Sequence, residues 1–199
     1  MKGNEEWNRR YSNSELIYGP NPNEFLKQQL SKLTPGTLLL PGEGEGRNAL
    51  WAAQNGWEVT AFDYSETAKE KASEIFTRYN VSPNYFVSDA QNFHINKKFD
   101  AIALIYMHLP KDIQSQFFKK LVDLLNPLGY LIIEIFHPDQ ISRASGGPKN
   151  PALFLTQDEL TEHFKSLSIN YLEKEEIDLN EGPLHQGKAL VIRLIAQKK

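Results

Sequence analysis

The chain has no cysteine among its 199 residues. That removes disulfides, thiolate zinc sites and a cysteine nucleophile at once, and leaves the redox compartment unmarked. Basic charge is not in excess either: the net charge is −3 and the pI about 6.0, so a phosphate backbone gains little nonspecific attraction and nucleic acid is not the expected substrate. No apolar run approaches the ~20 residues of a membrane span. The first residues, MKGNEEWNRRYSNSEL, lack the apolar centre of a signal peptide, so a cytoplasmic location is expected. Repeats and low-complexity blocks are absent, and the histidines show neither metal-ligand spacing nor a Ser-His-Asp order. What remains is 40% hydrophobic and 24% charged, the composition of one globular domain spanning residues 1–199.

Strands and helices alternate along that domain. Residues 21–33 have Phe25, Leu26, Leu30 and Leu33 at helical spacing, and residues 38–40 are a short apolar strand of the kind buried on both faces of a parallel sheet. A glycine-rich turn leads into a helix over residues 47–54, which Asn55-Gly56 stops. Residues 57–63 are a second strand. Ser65 caps the next helix, whose buried stripe is Ala68, Ala72, Ile75, Phe76 and Tyr79. Further strands are expected at 84–88, 100–106 and 129–136, the last reached through a turn at 126–129, with a helix over 110–125. The polar stretch 137–151 is too long for an ordinary connection and suits a functional loop, with Gly146-Gly-Pro-Lys149 as a flap. A helix at 156–164 and extended runs at 168–179 and 185–196, joined by Asn180-Glu-Gly-Pro, close the chain as an antiparallel hairpin. This rhythm argues for a parallel α/β sandwich.

In such a sheet ligands lie over the carboxyl ends of the strands, where LLLPGEGEGRNALWAA (residues 38–53) places its turn. Gly42, Gly44 and Gly46 allow close backbone approach. Asp63, ending the second strand about 20 residues on, is placed to bind ribose hydroxyls. The spacing departs from the dinucleotide fingerprint, and Glu43 and Glu45 oppose a pyrophosphate by like charge. A cationic adenosine cofactor, S-adenosylmethionine, satisfies both features. Arg47 is expected to pair with one of the two glutamates.

The chain also resembles the class I S-adenosylmethionine-dependent methyltransferases, and within them the tellurite-resistance-like small-molecule methyltransferases. The resemblance runs through Trp7-Asn-Arg-Arg-Tyr11 with Tyr18-Gly19, Gly42-Glu-Gly-Glu-Gly-Arg-Asn48, Val59-Thr-Ala-Phe-Asp63-Tyr-Ser65 and Ser88-Asp89-Ala90. It continues through Phe99-Asp100 with residues 103–108, Leu125-Asn-Pro-Leu-Gly129, Gly146-Gly-Pro-Lys149 and His185-Gln-Gly187. It implies a three-layer Rossmann-like α/β fold whose seven-stranded, mostly parallel sheet has the order 3-2-1-4-5-7-6, the last strand antiparallel. Residues 1–34 then form an N-terminal helical cap or lid. It further implies that Gly42, Glu43, Gly44, Glu45 and Gly46 wrap the methionine part of the cofactor. Asp63, with Tyr64 and Ser65, takes the ribose; Asp89 and Ala90 meet the adenine; and Tyr106 borders the transferred methyl together with His108.

Trp7, Tyr11 and Tyr18 either staple the N-terminal segment to the body or, Tyr18 above all, cover the sulfonium by cation–π attraction. The family usually has an acid two residues before the first glycine. Leu40 stands there, so carbonyls near Gly42, aided by Glu43 or Glu45, are expected to take the cofactor's ammonium group. The reaction so implied is direct in-line methyl transfer to a small molecule such as a thiol or a chalcogen oxyanion, with no covalent enzyme intermediate. An anionic acceptor needs no strong base; a neutral hydroxyl or amine needs one, and His108 is the candidate, with Tyr106 and His185 beside it as further catalytic residues. His94 and His163 are expected at the surface. The competing readings are a cofactor or nucleoside sensor without turnover, favoured by Leu40, and a nicotinamide-dependent oxidoreductase, opposed by the glycine spacing.

Overall fold

A computed structural model describes residues 2–13 and 15–199. Seven strands, β1 (Thr37–Pro41), β2 (Glu58–Asp63), β3 (Asn84–Val87), β4 (Phe99–Ile105), β5 (Leu125–Phe136), β6 (Ser168–Asn180) and β7 (Gln186–Gln197), form one sheet. Its order is β3-β2-β1-β4-β5-β7-β6. β1 to β5 pair in parallel, while β7 runs antiparallel to both β5 and β6.

Side-chain alternation explains the layers. In β1, Leu39 faces one core with Phe62, Ile102, Leu104, Leu131 and Ile133, whereas Leu38 and Leu40 face the other with Ala61, Ala101, Ala103 and Ile132. The first core is covered by α5 (Lys111–Leu124), through Phe117 and Leu121, and by α6 (Gln157–His163), through Leu160. The second is covered by α2 (Glu24–Leu30), α3 (Arg47–Gln54) and α4 (Glu66–Arg78), through Leu26, Ala49, Ala52, Ala72 and Phe76. Burial on both faces is why β1 and β4 carry apolar residues without alternation.

Local chemistry sets the helix starts. Asn23, Ser65 and Thr156 each accept a backbone N–H of the first turn, and Thr156 forms a reciprocal capping box with Glu159. Two expectations need correction. Tyr79 is exposed, because α4 ends at Arg78 and Tyr79 is only its C-cap. The turn expected at 126–129 is absorbed into β5: the β4 partner jumps from Leu125 opposite Phe99 to Tyr130 opposite Ala101, and Leu128 takes a left-handed φ of 63°.

An additional helix, α1 (Lys2–Tyr11), packs on α4, where Asn8 Oδ1 accepts the Ser65 hydroxyl at 2.6 Å. Residues 137–156 contain two 3-10 turns, Pro138–Ser142 and Pro151–Leu153. Among the described residues no helix is long and apolar enough to cross a membrane, and no cluster of metal-ligating side chains occurs.

Leu39 is fully buried between α5 and the sheet centre. Leu39→Ala is expected to lower unfolding free energy by about 2–5 kcal/mol, read as a lower urea midpoint with an unchanged m-value.

Candidate functional site

At the carboxyl end of β1 the chain turns through Gly42, Gly44 and Gly46, all at positive φ. Two of these positions have no room for a side chain. A Cβ on Gly44 would lie 2.8 Å from the Tyr11 hydroxyl, and one on Gly46 would lie 2.8 Å from the Ala72 methyl. Tyr11 is buried over the turn and stacks on Trp7 at 5.6 Å, so the aromatic face of α1 forms a roof above the glycines. Tyr18 meets Tyr11 edge-on at 6.4 Å.

Asp63, at the end of β2, holds the turn from the neighbouring strand. Its Oδ2 accepts Gly44 N–H and its Oδ1 accepts Ser65 N–H, both at 2.9 Å. A carboxylate has about four acceptor sites, so Asp63 keeps acceptor capacity beyond the backbone N–H groups it holds. Burial pushes the Asp63 pKa up, opposed by the N–H groups of Ser65, Gly44 and Tyr64. Ser65 itself caps α4, and Tyr64 is half-buried beside it.

The two turn glutamates point away from each other. Glu43 is folded inward, where Oε1 accepts Ala49 N–H at 2.7 Å and Oε2 accepts the Asn48 amide at 3.2 Å, serving the first turn of α3, which has no side-chain cap of its own. Burial drives its pKa from 4.5 to about 7 against those hydrogen bonds. Glu45 accepts Ile17 N–H and pairs with Lys71, each at 2.9 Å. Arg47 pairs with neither, contrary to expectation. It donates to the carbonyls of Tyr18 and Asn21 at 3.0 and 3.2 Å and to Glu181 Oε2 at 2.9 Å.

Asp89 and Ala90 follow β3. Burial raises the Asp89 pKa, but hydrogen bonds from Asn92 and from Gln91 N–H outweigh it and hold the carboxyl below its usual range. Its Oδ1 is occupied by that local turn, and Ala90 is buried against the core with Phe62 and Phe93.

Beyond β4 and β5 stands an aromatic wall. Tyr106, at a left-handed φ of 53°, stacks on Phe136 at 4.7 Å and meets His185 edge-on at 4.7 Å. Tyr18 lies 4.6 Å from His185. His108 stacks on Phe136 at 5.8 Å and meets Phe154 edge-on at 5.8 Å, with Nδ1 3.3 Å from the Leu153 carbonyl. Four expected residues, Tyr18, Tyr106, His108 and His185, are thus gathered on one wall; Asp89 and Ala90 make no contact with it in these pairings. Residues 146 and 147 pack on Phe136, and their loop is fastened where Gln140 donates to Ser145 Oγ at 2.8 Å and accepts Leu190 N–H at 2.8 Å.

A buried polar network lies behind the wall. Glu134 in β5 accepts the Tyr106 hydroxyl, Asn23 Nδ2 and Arg193 Nε, each at 2.6 Å. Asn23 also donates to Glu181 Oε1 at 3.1 Å, and Glu181 Oε2 lies 3.4 Å from His185 Nδ1. Sequence reading missed Asn23, Glu134, Glu181 and Arg193. A lone acid within the apolar run GYLIIEIF was the available signal for Glu134. His94 is exposed and His163 half-buried against Phe118.

Residues 39–129 match the family described as a methyltransferase domain. Over 157 residues the chain is 26% identical to the probable S-adenosyl-L-methionine-dependent methyltransferase TehB of Haemophilus influenzae, covering 77% of this chain and 52% of that protein. It is 30% identical over 148 residues to thiocyanate methyltransferase 1 of Brassica oleracea, covering 70% of this chain and 63% of that one. The chain therefore spans about half the length of TehB. The crystal structure of TehB from Haemophilus influenzae shares the fold with a TM-score of 0.74 at 19% identity, over 98% of this chain and 67% of that one. A structure from work on conversion of a disulfide bond into a thioacetal group during echinomycin biosynthesis shares it with a TM-score of 0.81 at 16% identity, over 98% and 91%.

Glu43 makes a pH prediction. Its folded pKa is raised, so between pH 4.5 and about 7 the folded chain keeps a proton that the unfolded chain releases, and stability falls as pH rises through that window. At ~1.4 kcal/mol per pKa unit the loss is on the order of 3 kcal/mol. Thermal melts across this range are expected to show a decline that Glu43→Gln flattens.

Proposed function

We infer that this chain, which belongs to the class I S-adenosylmethionine-dependent methyltransferases, transfers a methyl group to a small-molecule acceptor held against the Tyr106–His185 wall. The observation that carries this reading is Asp63. It is a buried carboxylate at the carboxyl end of β2, with acceptor capacity left over, next to a turn whose Gly44 and Gly46 have no room for side chains. That acceptor capacity suits a ribose diol. These residues fit the cofactor, which when bound supplies a methyl group made electrophilic by a sulfonium.

The chain's own residues then have three tasks. Gly42, Gly44 and Gly46, with Asp63, Tyr64 and Ser65, hold the cofactor at the turn, and Asp89 and Ala90 border its base. Because Glu43 is committed to Ala49 and Asn48, and Glu45 to Ile17 and Lys71, the turn's carbonyls carry the contact to the ammonium group that Leu40 cannot make. Tyr11 and Tyr18 roof the turn and exclude water. Tyr106, His108 and His185 align the acceptor; alignment and desolvation supply most of the acceleration when the leaving group is already activated.

Calorimetric titration with S-adenosylhomocysteine is expected to give saturable one-to-one binding, weakened about tenfold or more by Asp63→Asn, with NADH giving no heat. Saturable NADH binding in place of S-adenosylhomocysteine would sink this reading.

A further inference from the structure

We propose that the acceptor is a neutral thiol or hydroxyl carried on a flat apolar body, and that its S–H or O–H donates to Nε2 of His108. This rests on the methyltransferase reading above and narrows its acceptor.

The proton on the His108 ring can be placed. Nδ1 faces the Leu153 carbonyl at 3.3 Å, and a carbonyl only accepts, so Nδ1 bears the hydrogen and Nε2 presents a bare lone pair. Among the described residues Nε2 is buried with no hydrogen-bond partner. A buried acceptor left without a donor is unfavourable, and one at the carboxyl end of β4 is where a substrate can supply the donor. The other orphaned side-chain atoms, on Asn4 and Thr60, lie in α1 and within β2.

The surroundings set the rest of the acceptor. His108 is flanked by Phe136 and Phe154, and Phe136 continues into Tyr106 and His185. These rings suit a flat apolar body. An oxyanion finds little here: the nearby cations, Arg47 and Arg193, are engaged by Glu181 and Glu134, and a bare Nε2 repels negative charge. The titratable group facing His108 is His185, and burial lowers the pKa of both, that of His108 to about 4, so its lone pair is available throughout the neutral range.

The step balances without another reactant. The acceptor's sulfur or oxygen bonds the methyl carbon as the carbon–sulfonium bond breaks, its electron pair passing to the leaving sulfur. The acceptor's S–H or O–H bond then breaks and its proton goes to Nε2, and from there to water. A sulfur or oxygen that has gained a methyl while still protonated is a far stronger acid than imidazolium, so a weakly basic Nε2 suffices.

The test uses the protein loaded with S-adenosylhomocysteine and isotopically labelled at histidine nitrogen. Near neutral pH it is titrated with benzyl mercaptan and phenol, both uncharged there, and with selenite. The His108 Nε2 resonance is expected to start at its unprotonated position and to move toward the hydrogen-bonded one with the thiol or phenol but not with selenite. His108→Phe, which keeps a ring for stacking, is expected to bind benzyl mercaptan about tenfold more weakly while holding S-adenosylhomocysteine as the parent does. Label transfer to benzyl mercaptan is expected to be nearly level between about pH 6 and pH 8 in the parent and to rise with thiol ionisation in the variant. A protonated Nε2 at the start, selenite binding tighter than both neutral probes, neither probe shifting His108, or a variant matching the parent overturns the proposal. Failure of S-adenosylhomocysteine to bind the parent overturns the methyltransferase reading instead.

Discussion

Glu134 is fully buried in β5 between isoleucines, and its charge has to be compensated where it stands. Arg193 from β7, Tyr106 from the end of β4 and Asn23 from the N-cap of α2 each reach it at 2.6 Å. Burying one carboxylate therefore fixes three elements relative to one another. Losing Arg193 leaves an uncompensated charge, a penalty of ~3–5 kcal/mol, whereas an apolar replacement of the whole set could pack as well. Retaining ions in this place is consistent with a need for position more than for stability.

Position is what the reaction demands, since in-line transfer tolerates little misalignment. From Glu43 a continuous series of hydrogen bonds passes through Asn48 to Asn23, and from Asn23 to Glu134 and the Tyr106 hydroxyl. A branch passes from Asn23 through Glu181 to Arg47 and His185. Turn and wall are thus registered by one residue, Asn23, through its backbone N–H on one side and its side-chain amide on the other. Asn23 can do this because its carbonyl oxygen caps α2 while both N–H bonds of its side chain remain for carboxylates.

The alternation of strands and helices was legible because strands buried on both faces leave continuous apolar runs, such as Leu38 to Leu40. Sheet order came from family resemblance and not from periodicity, which carries no information on neighbours. Glycine turn and acids were visible; their directions were not. Glu43 turned inward because α3 begins at Gly46 without a side-chain cap, and Arg47 found Glu181, 134 positions away. Asn23 and Glu181 gave no signal, since Asn-Pro-Asn-Glu and Asn-Glu-Gly-Pro read as a cap and a turn by local chemistry alone.

The contact between Gly19 and Gly182 has a consequence in time. Their backbones approach so closely that neither position has room for a side chain, and Leu184 N–H donates to the Ile17 carbonyl at 3.3 Å. Asn23 and Glu181 are 158 positions apart. Residues 17–23 have anchors on Glu45, Arg47 and Asn48 but gain the rest only when the β6–β7 hairpin exists, and closing so long a loop comes late because its entropy is lost before any contact repays it. During synthesis the sheet centre from β1 to β4 can pair well before the last strands leave the ribosome. The Tyr18 side of the roof is completed in the final stage of folding, so a chain halted partway through synthesis would carry a formed turn covered by Tyr11, held through α4, while Tyr18 still lacked His185.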